Sequence, residues 1–143
     1  MHIESDIREA MVAGAVGAAL SGIPSTAVTL ARGGDLLEGA RAAGTLLLSG
    51  ERRAAVLLLA ALPVHLALSL GWAVVLEALL RHGREPLHGT LAGLAIAALD
   101  LGVIGRRLPA IRALDQPSQW LDHAAYGLAV GLTLRLRRRR AAE

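Results

Sequence analysis

Residues 54–76 read AAVLLLAALPVHLALSLGWAVVL, a stretch of 23 residues without one Asp, Glu or Arg. At 1.5 Å of rise per residue, about 20 such residues match a hydrocarbon layer about 30 Å thick, so the stretch reads as a transmembrane helix. A helix buried in a soluble bundle would show polar positions recurring every 3.6 residues, and none recur here. Period-two alternation is missing as well, which argues against a strand.

Three further blocks have the same character: 10–31, also free of charge; 86–105, which contains Asp100; and 118–134, which contains Asp122 and His123. In the third block the Leu, Ile and Val residues supply about −4 kcal/mol of insertion free energy, which outweighs the roughly +3 kcal/mol of a central Asp, and Asp100 is off-centre. The fourth is marginal by itself and relies on partner helices and on the basic tail that follows it. The expected fold is all-α, a four-span transmembrane helical bundle forming a single integral membrane domain over 1–143, with no internal repeat.

Composition removes many chemistries. The chain of 143 residues is 54% hydrophobic and its mean hydropathy of +0.50 is too high for an ordinary soluble domain. With no cysteine there are no disulfides, thiolate metal sites or cysteine nucleophiles. All fifteen Lys+Arg positions are arginine, which removes Schiff-base chemistry and the P-loop lysine. The missing Lys, Asn and Phe look like the residue usage of a very GC-rich genome. A pI near 10.9 invites a nucleic-acid reading, but the arginines are scattered between apolar blocks and no aromatic stacking platform accompanies them. None of His2, His65, His82, His88 and His123 pairs with another at four-residue spacing, so no helical zinc motif exists, and no nucleophile elbow or nucleotide fingerprint appears. No cofactor and no enzymatic activity are expected.

Gly33 and Gly34 interrupt the chain after the first span, and Asp35 with Glu38 has capping-box spacing. An amphipathic helix is expected over 36–49, with Leu36, Leu37, Ala40, Gly44, Leu47 and Leu48 on one face and Gly50 ending it. It lies on the membrane surface or packs on the bundle as a connector. Glu4, Asp6 and Glu9 against Arg8 are unlike the basic start of a cleaved signal, so the first span is expected to be retained.

Four spans put both termini on one side, with eight arginines there against seven opposite, an almost balanced count. The stretch RLRRRR (135–140) in the basic tail 135–143 favours termini in the cytoplasm, where anionic lipids attract each charge by about 1 kcal/mol. The same tail also reads simply as a stop-transfer anchor.

Small residues form stripes at four-residue spacing, Gly14/Ala18/Gly22 and Gly89/Gly93/Ala97, suited to close helix packing in lipid. Asp100 falls within about 20° of the Gly89 face, which points it into the bundle. Antiparallel spans bring Asp100, Asp122 and His123 to one depth, with Ser25 and Thr26 beside a kink expected at Pro24. Such a cluster suits a proton relay or small-cation site. It also suits static pairing, the commoner arrangement, with Asp122 at a helix N-terminus and Asp100 on His123 or Arg107. His65 is a weaker candidate, read either as a relay or as an imidazole bonded to a carbonyl freed by Pro63. Glu77 and Arg81 have the spacing of a surface pair, and Trp72 suits an interfacial anchor.

The stretch GLAIAALDLGVIGRRLPAIRAL (93–114) followed by QWLDHAAYGLAVG (119–131), and more weakly SGIPSTAVTLARGGDLLEGARAAGTLL (21–47), resembles a group of small uncharacterised bacterial integral membrane proteins common in high-GC species. The resemblance implies a bundle in the bacterial cytoplasmic membrane and carries no activity, substrate or catalytic residue. The expected function is a non-enzymatic structural or accessory membrane protein in contact with membrane lipids and a second copy or a membrane protein partner. The alternative is a small proton- or cation-linked transporter acting as an oligomer.

Overall fold

The computed structural model describes residues 2–80, 83–141 and 143, and among them every regular element is helical. Helix α1 spans His2–Leu20, α2 Ile23–Arg32, α3 Glu38–Gly44, α4 Ala54–Leu79 and α5 Glu85–Leu99. A π-helical turn over Asp100–Ile104 and a 3-10 turn over Gly105–Arg107 continue α5, followed by the short α6 (Pro109–Ala113) and by α7 (Gln116–Arg140). Three stretches are long and apolar enough to cross a membrane: Asp6–Arg32, Ala54–Leu79 and Glu85–Arg107. Helix α7 has the length, at 25 residues, but Gln116, Gln119, Asp122 and His123 dilute its apolar character and it is not among the three.

The first stretch is interrupted beside Pro24, where a kink is expected within the span 10–31, and the interruption is a full break between two helices. Pro24 has no N–H to give the preceding turn, so the chain turns at Ser21 and Gly22 and restarts as α2 with the proline in its first turn. In α4, by contrast, Pro63 is absorbed and the helix runs through it.

Within the segment 36–49 the helix is shorter than its pattern suggests. Helix starts only at Glu38, and no capping box forms: the Asp35 carboxylate accepts the Leu37 N–H at 2.9 Å and pairs with Arg41. Ala42 and Gly44 are the buried positions, while Leu36, Leu37, Leu47 and Leu48 stay exposed. Close approach decides this. A methyl group at Gly44 would overlap the Leu57 carbonyl of α4, so the small side of α3 seats on α4 and its leucines face away.

Helix α7 is central, packed on α5, α1 and α2, while α4 packs on α1 and α3. Its seam with α5 is backbone against backbone. A side chain at Gly89 would strike the Gly127 carbonyl, one at Gly93 the His123 carbonyl, and one at Gly131 the Glu85 carbonyl. Around this seam lies a core of Ala13, Leu76, Leu80, Ile96, Tyr126, Val130 and Leu134, with the partly buried Trp72 packed against it. A smaller cluster of Ala42, Ala97, Leu101 and Ile111 joins α3, α5 and α6.

Of the two N-terminal stripe glycines, Gly14 meets Ala73 of α4 and Gly22 meets nothing. Gly17, outside the stripe, makes room for Tyr126 and Val130 of α7. Large side chains are turned outward along the long helices, among them Leu59, Leu62, Leu87, Leu91, Leu121 and Leu132.

Candidate functional site

Two helix irregularities converge on one stretch of α7. From one side comes the break between α1 and α2; from the other, the π turn that opens at Asp100, whose carbonyl accepts the Gly105 N–H across the widened turn. Between them stand Asp122 and His123. The Asp122 Oδ1 accepts the Ser25 N–H at 2.8 Å, so a carboxylate from α7 caps the exposed N-terminus of α2. The Ser25 hydroxyl turns back to the Gly22 carbonyl at 3.3 Å.

His123 Nδ1 donates to the Gln119 carbonyl one turn earlier, at 2.8 Å, and its Nε2 lies 3.5 Å from Asp100 Oδ2. Both members of that pair are mostly buried, with side-chain exposures of 23% and 20%. The cluster is thus two adjacent pairs, Asp100 with His123 and Asp122 with Ser25. Thr26 is exposed and its side chain joins neither pair, and Asp100 meets His123 and not Arg107.

His65 lies elsewhere. It is exposed, and its Nε2 donates to the Ala18 carbonyl of α1 at 3.0 Å, not to a carbonyl freed within its own helix by Pro63. Ala18 sits in the last turn of α1, where carbonyls have no partner further along the helix, and the Ser21 hydroxyl shares this one at 3.4 Å. His65 therefore ties α4 to the break from the other side.

On the same side of the molecule as the cluster, Arg32 at the end of α2 pairs at 3.0 Å with Asp115, which also caps α7 through the Ser118 N–H at 3.3 Å. The Arg32 guanidinium and the Ser118 contacts hold the Asp115 carboxyl below the usual carboxylate range. A surface cavity of about 360 Å³ between α3, the start of α4 and α6 is lined by Arg41, Thr45, Glu51 and Arg52 and includes none of the cluster residues.

The opposite end holds a second polar assembly that the spacing of charges along the sequence did not reveal. Arg137 pairs with Glu9 of α1 through two nitrogens, one of them 2.9 Å from Oε1. Arg138 donates to the Leu80 carbonyl at 2.9 Å, to the Glu77 carbonyl at 3.0 Å and to Glu77 Oε1 at 3.0 Å, and it stands 3.6 Å from Glu85 Oε1. Glu85 is 2% exposed and its Oε2 has no hydrogen-bond partner. The partner of Glu77 is thus Arg138; the expected Glu77–Arg81 pair lies outside the described residues, as does His82. These contacts put the start of α1, the end of α4, the start of α5 and the end of α7 together at one end.

No family model, curated protein or solved structure matches this chain. Any functional reading rests on its own geometry.

Proposed function

We propose that this chain is a non-enzymatic, structural or accessory protein of the bacterial cytoplasmic membrane, with four membrane-crossing segments and both termini in the cytoplasm. One observation carries the membrane reading: the molecule is inverted relative to a water-soluble bundle. Its closest helix approaches are made at Gly, and beside a small buried core many of its large apolar side chains face outward along the long helices. In water, monomers rarely expose more than a few hundred Å² of contiguous apolar surface, and rows of exposed leucines on several helices run against that. In lipid it is the expected arrangement, because no hydrophobic force acts between helices there and close backbone contact takes over.

Helix α7 is read as the fourth segment on the same ground. Its outward positions are Leu121, Leu128, Leu132 and Leu136, whereas Asp122 and His123 turn to partners inside. Paired inward groups are the form in which acids are tolerated at membrane depth. The ion pairs of Arg137 and Arg138 with three helices at one end, and of Arg32 with Asp115 at the other, fit four antiparallel crossings.

Single introduced cysteines test this cleanly in a chain that has none. Cysteines at 84 and 140 should be labelled from the cytoplasmic face only and one at 50 from the opposite face only. Labelling of 140 and 50 from the same face removes the fourth crossing, and labelling of 84 and 140 from outside with 50 from inside reverses the orientation.

A second reading, a small proton- or cation-linked transporter, is favoured by the Asp100–His123 pair lying beside two helix irregularities, since transporters build ion sites at broken helices. Proton or cation flux in reconstituted vesicles, lost in Asp100→Asn, supports it. Absence of any flux removes it.

A further inference from the structure

We infer that Asp100 and His123 together form a proton-binding site that holds one proton between Oδ2 and Nε2, and that Asp122 is the structural member of the cluster. This deepens the transporter reading by naming the ion and the atoms, and it rests on the membrane reading. The warrant is hydrogen-bond polarity. A carbonyl oxygen can only accept, so the 2.8 Å contact with Gln119 fixes a hydrogen on Nδ1 of His123. In the neutral ring Nε2 is then a bare lone pair, and at 3.5 Å it faces a carboxylate oxygen, which is also an acceptor. Two acceptors face each other favourably only with a proton between them.

That proton makes either an imidazolium beside a carboxylate or a neutral imidazole beside a carboxylic acid. In both forms the pair is neutral overall. Release of the proton to water leaves a net charge of −1 inside the bundle, so loading and unloading the site changes charge within a medium that resists it.

The ionisable groups acting on His123 are Asp100, from the π turn, and Asp122 on its own helix. Helix α2 contributes Ser25, an uncharged group. Asp122 Oδ1 is already committed to the Ser25 N–H, which would have to be given up for that oxygen to take part in proton exchange. A metal cation fits less well, because among the described residues no group of three or more His, Asp and Glu side chains is placed to hold one.

Nitrogen-15 NMR of histidine in the full chain, reconstituted in phosphatidylethanolamine/phosphatidylglycerol bilayers, reads the site directly. Across a pH titration His123 Nδ1 should stay protonated while Nε2 alone gains and loses its hydrogen. Asp100→Asn should weaken proton binding at Nε2 at least tenfold, and Asp122→Asn should change it less than threefold. A neutral His123 carrying its hydrogen on Nε2 overturns the assignment, as does Asp100→Asn without effect. If the variants do not fold, the neutral tautomer in the unaltered chain decides alone. A chain without flux that still shows this titration fails as a transporter and keeps its proton site; one that is monodisperse without amphiphile fails the membrane reading instead.

Discussion

At the scale of single residues, glycine sets how closely α5 and α7 approach. Gly127→Ala places a methyl group against the Gly89 carbonyl, where only backbone shift can relieve the overlap. The expected loss is about 1–3 kcal/mol, measured as a drop in thermal or denaturant midpoint in detergent. Gly71→Ala, on the open side of α4, meets nothing and should be neutral or stabilising by about 0.5–1 kcal/mol. Equal effects at the two positions would refute the backbone-contact account of the α5–α7 seam. Glu51 offers a separate test in the loop before α4. The Arg53 guanidinium, together with the N–H groups of Arg53 and Arg52, pulls its carboxyl down to about 2. A depressed carboxyl contributes stability above its ordinary range and loses it as pH falls, so this loop should loosen between about pH 4.5 and pH 2. Carbon-13 titration of Glu51 checks the position, and Arg53→Gln should return it towards the ordinary value.

At the scale of elements, the end of α7 acts as a clasp. Arg138 satisfies two terminal carbonyls of α4 and stands beside the buried Glu85, so Arg138→Gln should cost about 3 kcal/mol by leaving a buried charge without its cation. Adding Glu85→Gln should recover part of that loss. Arg139→Gln and Arg140→Gln, at exposed positions, should stay within about 0.5 kcal/mol. Unfolding midpoints of the three variants and the double variant decide it.

The long apolar helices were legible because hydropathy over some 20 residues is a local property of the chain. The clasp is not legible, because Glu9, Glu77 and Glu85 lie 53 to 128 residues from Arg137 and Arg138 in the chain and only folding brings them to the same end. The seam is half legible: Gly89 and Gly93 form a stripe at four-residue spacing, and Gly127 and Gly131 repeat that spacing on the facing helix, but which stripes meet is settled only by the fold. The short length of α3 and its seat on α4 are not legible in its amphipathic pattern, since contact between Gly44 and the Leu57 carbonyl, residues 13 apart in the chain, decides which face is buried.

At the scale of the whole molecule, the outward leucines predict that the chain is monodisperse only with amphiphile present, checked by light scattering as detergent is removed. The arrangement of charges adds a consequence for biogenesis. The acids Glu9, Glu77 and Glu85 belong to the first three long stretches to be synthesised, and the arginines that neutralise them come from the last. Until residue 138 has emerged, a nascent chain carries Glu77 and Glu85 without Arg138, and Glu9 with its neighbour Arg8 at 3.6 Å but without Arg137. Premature stopping before Arg137 would therefore yield a species with every apolar segment in place and no lock, the kind of product that membrane quality control encounters as an orphan.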